Sequence, residues 1–247
     1  MTTSGTKEWA EFNVNFSKGC SNNCKYCYAK RMASRFGWKV CWEEMENKEY
    51  MATKGFTKRN GVIMSPSSHD ITDSNVELAI QVFQHILEVG NNLLIVSKPK
   101  ETLITKICEA ISPWKDQVLF RFTIGTLDDP VREYWEPGAP TVQERINSLK
   151  YAFTNGWETS VSIEPYLDHN VIELIKKLEP FITDCLWVGP MNKIHVPKEL
   201  WTEKENQLYS VETRKKLQKE ILELNSSKIK FKDHFMNGLE ESERNHQ

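Results

Sequence analysis

Six short, near-continuously apolar segments alternate with stretches of helical periodicity, and this alternation limits the chain to few folds. The segments are FNVNF (12–16), VIMS (62–65), LLIVS (93–97), VLFRFTI (118–124), TSVSIE (159–164) and CLWVG (185–189). They read as strands covered on both faces, because a strand with one wet face would alternate apolar and polar residues. Between them, residues 74–89 place Val76, Ile80, Phe83, Ile86 and Leu87 on one helical face, with Asp73 or Ser74 as the cap. Residues 101–111 form a second helical pattern. Residues 141–156 open with a capping-box spacing, Thr141 and Glu144, and exit at Asn155-Gly156. Residues 169–180 stop before Pro180, and 210–225 form the last clear helix. Such alternation gives parallel β/α units wound by right-handed crossovers, either as an open doubly wound sheet or as a partial barrel.

Both architectures carry their chemistry at the carboxyl ends of the strands. Polar residues do follow each segment: SKGCSNNCKYC, SPSSHD, Ser97-Lys98, Thr123 with Thr126 and Asp128, Glu164, and Gly189 with Asn192 and Lys193. One site at one mouth is the expectation.

The 247 residues suit one domain, 1–247, with a core at about 10–195 and a C-terminal helix and tail at 196–247. A hydrophobic content of 39% excludes a wholly disordered chain. Mean hydropathy is −0.53 and no run of 18 apolar residues occurs, so no membrane partner is expected. The start, MTTSGTKEWAEF, lacks the apolar core of a secretory signal, and the expected location is cytoplasmic. Net charge is −2, but residues 1–60 hold eleven Lys or Arg against six Glu. A basic N-terminal third favours a phosphate-bearing substrate; the plainer reading is a solvated mixed-charge surface.

Of six cysteines, Cys20, Cys24 and Cys27 crowd into eight residues, while Cys41, Cys108 and Cys185 are scattered. The scattered three read as buried packing residues. The crowded three form C-x3-C-x2-C, a spacing that suits three irons of a [4Fe–4S] cubane. A fourth iron left without a protein ligand is a place for substrate or cofactor, and Gly19 allows close backbone approach. The alternatives are unrelated thiols or zinc, which needs a fourth Cys or His at regular spacing; none follows Cys27 closely.

With Tyr26 before the last cysteine, this loop after the first strand resembles the signature of the radical S-adenosylmethionine (SAM) superfamily. Within it, GCSNNCKYCYAKR, SPSSHDIT, LLIVSKP and the segment FRFTIGTLDDPVREYWEPGAPTVQERINSLKYAFTNGWETSVSIEPYLD resemble the spore photoproduct lyase-like branch and its small bacterial and phage-associated relatives. The last segment includes the Glu136-Pro137-Gly138 turn. The resemblance implies a partial (β/α)6 TIM-type barrel and two cofactors, a [4Fe–4S] cluster and SAM. It implies reductive cleavage of SAM to a 5′-deoxyadenosyl radical that abstracts hydrogen from a substrate, with a nucleotide or nucleic acid the first choice. It also implies an external electron donor of flavodoxin or ferredoxin type, replaced in vitro by dithionite. Residue by residue, Cys20, Cys24 and Cys27 would ligate the cluster, Tyr26 would lie near the adenine, Lys98 would reach the SAM carboxylate, and Thr123 matches a hydroxyl near SAM. Ser67 falls about where the lyase has its hydrogen-donating cysteine. A Ser hydroxyl is a poor hydrogen-atom donor, so photoproduct repair does not carry over.

Ser67, His69 and Asp70 at the second strand end are the candidate catalytic residues, the alternative being a loop that caps the next helix. Glu164, ending an apolar strand, needs a partner or a ligand, and it joins Asn192 as a candidate cofactor contact. Trp38 and Trp42, near Arg35 and Lys39, could stack a nucleobase. Residues 37–60 read as an insertion shaping the substrate pocket, and 228–235 as a segment closing the barrel or covering the site. Three competing readings remain: a non-catalytic iron–sulfur or zinc-binding module, which has no use for Lys98, Thr123 and Glu164 at three strand ends; a hydrolase using Ser67 and His69; and a radical SAM enzyme acting on a peptide or small metabolite.

Overall fold

Alternation along each strand sorts the side chains into an inner and an outer layer. In this computed structural model, which describes residues 5–39 and 41–236, the outer positions Ile63, Leu93, Ile95, Phe120, Phe122, Val161, Ile163, Leu186 and Val188 belong to the main apolar core. Inner positions make a small separate cluster, Met64 and Leu94 with Ala10, joined by Val62, Val96 and Leu119. The strands between the two edges of the main sheet are therefore covered on both faces, and this explains their near-continuous apolar sequence.

The elements in order are β1 (Phe12–Asn13), β2 (Ser17–Lys18), α1 (Tyr28–Arg35), β3 (Glu46–Asn47), β4 (Val62–Ser65), α2 (Val76–Glu88), β5 (Asn92–Ser97), α3 (Glu101–Ala110) and β6 (Val118–Thr123). They continue with α4 (Asp129–Trp135), α5 (Val142–Thr154), β7 (Glu158–Ile163), α6 (Val171–Leu178), β8 (Leu186–Val188), α7 (Glu203–Leu208), α8 (Val211–Glu223), β9 (Ile229–Phe231) and α9 (Asp233–Met236). The main sheet has seven strands in the order β1-β4-β5-β6-β7-β8-β9, and all its pairs are parallel. This is the expected α/β partial barrel. The short antiparallel pair β2–β3 stands outside it.

All six expected strands are present. The seventh, β9, lies in the segment 228–235 expected to close the barrel or cover the site, and its three residues are too few for the strand itself to be read from sequence. Lys232 lies one residue past β9, is fully buried, and sits over the Trp9 ring at 4.3 Å. Among the described residues β1 pairs only with β4 and β9 only with β8, so a seam separates them. Across it Lys232 Nζ donates to Gly5 O at 3.1 Å and pairs with Glu8 at 2.9 Å, binding the two ends of the described chain together.

The α5 capping box forms as expected. The α2 cap does not: Asn75 takes the N-cap position, and Asp73 pairs instead with Lys100 at 2.9 Å. Asn75 is held by other bonds, accepting from Thr72 N and donating to Asp70 O. The helices α1, α4 and α7 have no counterpart in the periodicity; α4 is started by Asp128, which accepts from Val131 N, with Pro130 in its first turn. Residues 37–60 do not line the central cavity. Gly19 instead packs a backbone with φ of 90° against the carbonyls of Trp42 and Glu44. Among the described residues, no helix is long and apolar enough to cross a membrane.

Phe120 is fully buried and meets Trp157 edge to face at 5.3 Å. Phe120→Ala is expected to lower stability by about 3–5 kcal/mol, measured as a drop in the urea unfolding midpoint at unchanged slope.

Candidate functional site

Six strand ends and the loop after β1 enclose one cavity of about 710 Å³. Every candidate residue lines it: Cys20, Cys24, Tyr26, Cys27, Ser67, His69, Asp70, Lys98, Thr123, Glu164 and Asn192. Thr126, Asp128 and Lys193 do not. Thr126 bonds Asp168, Asp128 caps α4, and Lys193 lies over Trp201.

Two consecutive turns shape the cysteine loop. Asn23 N donates to Cys20 O and Cys27 N to Cys24 O, both at 3.2 Å, with Asn23 at a φ of 47°. Cys20 N is tied to Trp42 O at 2.8 Å and Lys25 N to Trp135 O at 2.9 Å. Gly138 N bonds Asn22 O at 3.1 Å, and a Cβ on Gly138 would collide with Ser21 O, so only glycine lets the α4–α5 turn lie against this loop. Burial raises all three thiols, Cys20 to about 12, with Asp70 adding to the rise and Lys98 opposing it. As free thiols they stay protonated at neutral pH, and a bound cation would favour the thiolates. Among the described residues, no three His, Cys, Asp or Glu side chains converge as ligands of one ion. A cubane takes each thiolate on a different iron, so three thiols around one volume fit it where a single zinc does not.

Behind the loop lies a charged network. Glu136 is fully buried; one carboxylate oxygen pairs with Arg145 Nη2 at 2.5 Å, and the other accepts from the Tyr26 hydroxyl and stands 3.9 Å from Lys98 Nζ. Burial raises the Glu136 carboxyl, but Arg145, Lys98 and the Tyr26 hydroxyl outweigh it and hold it below the ordinary value. Burial lowers Lys98, yet its acidic neighbours, Cys24 when it is a thiolate and the Glu136 and Asp70 carboxylates, more than offset this and hold the ammonium above its ordinary value. Lys98 Nζ makes no hydrogen bond with the described residues beyond that long pairing. The sequence reading missed Glu136 and Arg145 as site residues. A detectable signal existed: Arg145 interrupts the buried stripe Val142, Ile146, Leu149 of α5.

Asp70 is a clamp. Its carboxylate accepts from Asn22 Nδ2 at 2.9 Å, Ile71 N at 2.8 Å, Ser97 Oγ at 2.5 Å and Lys98 N at 3.0 Å. It joins the cysteine loop to the ends of β4 and β5, and its acceptor positions are engaged within the chain. His69 Nε2 accepts from Phe16 N at 3.1 Å and Ser17 N at 3.0 Å, which ties the second strand end to the segment after β1. Burial lowers its imidazole to about 4. Ser67 Oγ accepts from Asn15 Nδ2 at 2.9 Å, while both His69 ring nitrogens are engaged by backbone, and no hydrogen bond joins Ser67 to His69 among the described residues. Trp42 is buried against Cys20, Ala29 and Ala33 and cannot stack a base; Trp38 is exposed.

On the opposite wall Glu164 stands 3.8 Å from Lys232 and 3.6 Å from His234. Burial raises its carboxyl against those two neighbours. Ser162 Oγ beside it is buried with no hydrogen-bond partner. Asn192 Oδ1 accepts from Ile194 N at 3.1 Å.

No protein-family profile matches the chain. An uncharacterized protein, ORF301 of Acidianus two-tailed virus, is 26% identical over 197 residues, covering 73% of this chain and 64% of that one. Spore photoproduct lyase, as a double mutant with bound AdoMet and dinucleoside spore photoproduct, superposes with a TM-score of 0.62 at 15% identity, covering 94% of this chain and 78% of that one. Streptococcus suis SuiB bound to S-adenosylmethionine gives 0.58 at 13% identity, covering 91% and 52%. The chain thus spans less than two thirds of the viral relative and about half of SuiB. These likenesses show the fold: the chain has a parallel partial-barrel architecture shared with spore photoproduct lyase and SuiB, the fold class expected from its alternating strands and helices.

Two outcomes follow. Glu136→Ala leaves Arg145 buried without its counter-charge and should cost about 3–5 kcal/mol in urea unfolding. His69 has a folded pKa of about 4, below its ordinary 6.5, so its stabilisation is complete above pH 6.5 and is lost as pH falls from 6.5 toward 4. The loss approaches roughly 3 kcal/mol, and His69→Gln should flatten the wild-type decline in unfolding free energy over that window.

Proposed function

We propose that this chain is a radical SAM enzyme. The observation that carries the reading is the placement of three loop thiols and a charged, hydrogen-bond-free Lys98 ammonium on the walls of one cavity in this fold. Cys20, Cys24 and Cys27 would hold a [4Fe–4S] cluster. When bound, the cluster supplies the electron that splits SAM into methionine and a 5′-deoxyadenosyl radical. The chain's own residues do the binding and orienting. Lys98 offers its unfilled N–H donors to the carboxylate of SAM, a point-charge contact. Tyr26 is held against Glu136 and borders the ligand with its ring. Thr123, Ser162 and Glu164 line the wall with hydroxyl and carboxyl groups, of which Ser162 Oγ has no hydrogen-bond partner among the described residues.

The substrate in this reading is a nucleotide or nucleic acid. The basic balance of residues 1–60, of which Lys7 borders the cavity, supports a phosphate-bearing ligand. The likeness to a fold that holds a dinucleoside photoproduct in spore photoproduct lyase supports the same class.

The test is anaerobic reconstitution with iron and sulfide, followed by dithionite and SAM, with 5′-deoxyadenosine as the product measured. The expected result is product that disappears in Cys24→Ala and after iron chelation, and SAM binding at least ~10-fold weaker in Lys98→Met, a loss of about 1.4 kcal/mol. A Cys24→Ala protein that still assembles a full four-iron cluster would refute the ligand set. Unchanged product formation across Lys98→Met, Thr123→Val and Glu164→Gln would refute the cavity assignment.

A further inference from the structure

The last strand brings a cation to the cavity wall from outside the six expected β/α units. Lys232 follows β9, and its Nζ pairs with Glu8 of the N-terminal turn Gly5–Glu8 at 2.9 Å and donates to Gly5 O at 3.1 Å. It also stands 3.8 Å from Glu164 Oε2 on the cavity wall. This approach passes over β8: Glu164 follows β7, Lys232 follows β9, and Gly189, one residue past β8, lies between them. A Cβ on Gly189 would stand 3.0 Å from both the Glu164 Cγ and the Lys232 Cγ. Glycine lets the two side chains meet over the middle strand without displacement.

The pairing leaves Glu164 short of hydrogen-bond partners. Lys232 at 3.8 Å and His234 at 3.6 Å are both too far to donate to it. His234 spends Nε2 on Pro190 O at 2.9 Å, which places a proton on that nitrogen. Lys232 is spent on Glu8, whose other oxygen accepts from Asp233 N at 3.4 Å. Two residues before Glu164, on the cavity side of β7, Ser162 Oγ is buried with no hydrogen-bond partner among the described residues. A carboxylate and a hydroxyl that border one cavity and lack partners call for a ligand that brings donors.

Charge decides what kind of donor. The charged groups that act on Glu164 are Lys232, His234 and Glu8. Burial raises its carboxyl, Lys232 and then His234 pull it down, and Glu8 pushes it up. Lys232 is thus divided between an anion of the N-terminal turn and an anion of the wall. A phosphate at this wall would meet Glu164 as a like charge. The phosphate of a nucleotide therefore belongs elsewhere, and an uncharged part of the ligand faces Glu164.

We propose that Lys232 is a positioning residue that holds the Glu164 carboxylate toward the cavity as a hydrogen-bond acceptor, and that Glu164 with Ser162 binds an uncharged ligand group bearing N–H or O–H donors. The ligand half deepens the radical SAM reading of the cavity and rests on it, since cofactor and substrate can both carry such a group. The relation between Lys232, Glu8 and Glu164 belongs to the unloaded chain and is tested there.

The first measurement follows the Glu164 carboxyl by NMR of its side-chain carbon as pH is varied, in cluster-free protein, with Glu164→Gln identifying the signal. Lys232 is the neighbour that lowers this carboxyl most, so Lys232→Met is expected to move the titration up in pH. Glu8 acts in the other direction, so Glu8→Gln is expected to move it down, and Lys232→Arg to keep it near wild type. A merely structural role gives no such opposite pair. Where Lys232→Met fails to fold because Glu8 is left buried without its counter-charge, the double variant Glu8→Gln/Lys232→Met keeps the charge balance. It should still titrate above wild type, because Lys232 outweighs Glu8. The second measurement is calorimetric binding to cluster-loaded protein of SAM, then of a pyrimidine dinucleotide, as pH is lowered from neutral. Binding needs the carboxylate, so it is lost as pH falls through the Glu164 titration, earlier in Lys232→Met and later in Glu8→Gln. Glu164→Gln is expected to weaken the probe that faces it at least ~10-fold. Weakened SAM marks the cofactor as the occupant, and weakened dinucleotide alone marks the substrate. Shifts of one sign, or none, in the Lys232 and Glu8 variants overturn the positioning role. Equal binding of both probes in Glu164→Gln overturns the ligand assignment. If cluster-loaded wild type binds neither probe, the reading of the cavity fails and the ligand assignment falls with it, while the carboxyl titration still decides the positioning role.

Discussion

One fully buried carboxylate, Glu136, governs the architecture of the cavity. An isolated charge in such a place is prohibitively costly, so its partners are dictated: Arg145 from α5 on one oxygen, Tyr26 and Lys98 on the other. The cysteine loop, the α4–α5 turn, α5 and the end of β5 are thereby fixed to one point. Asp70 does the same on the opposite flank, joining Asn22, Ser97 and the backbone of Lys98. Lys98 shares Glu136 with Arg145 and stands 3.9 Å from it without a closer ion pair, at the cavity wall that the thiols also line.

The barrel interior is graded along its axis. Toward the amino ends of the strands it is apolar, with Met64, Leu94 and Leu119. One layer on, Arg121 reaches Ser160 at 2.9 Å and Asp184 at 3.1 Å. At the carboxyl ends come Thr123, Ser162 and Glu164, polar groups bordering open volume. The outer face changes far less, so the helices can pack uniformly while the inside shifts from packing to ligand contact.

Much of this is legible in the sequence, because burial on both faces leaves a plain signature. The six expected strands and the α5 capping box are of that kind. So is the gathering of residues that follow different strands, since parallel β/α topology sends all strand ends to one side. What stays hidden depends on partners distant in sequence. Nothing local shows that His69 spends its Nε2 on Phe16 and Ser17, or that Asp70 spends its carboxylate on the next strand. Glu136 lies in a polar turn that looks solvated until Arg145 closes on it. The strand β9 is hidden for a related reason: its flanking Lys232 reads as surface until Glu8 and Trp9 arrive from far upstream.

That last contact has a consequence for the order of events in the cell. Lys232 and His234 border the cavity, yet they leave the ribosome long after the cysteine loop does. The chain is synthesised from its amino end and a domain folds as a unit once its parts are present. The thiols are therefore made some two hundred residues before the wall opposite them exists, and the seam stays open over that interval. Until β9 emerges the thiols face a cavity that lacks the wall carrying Lys232 and His234.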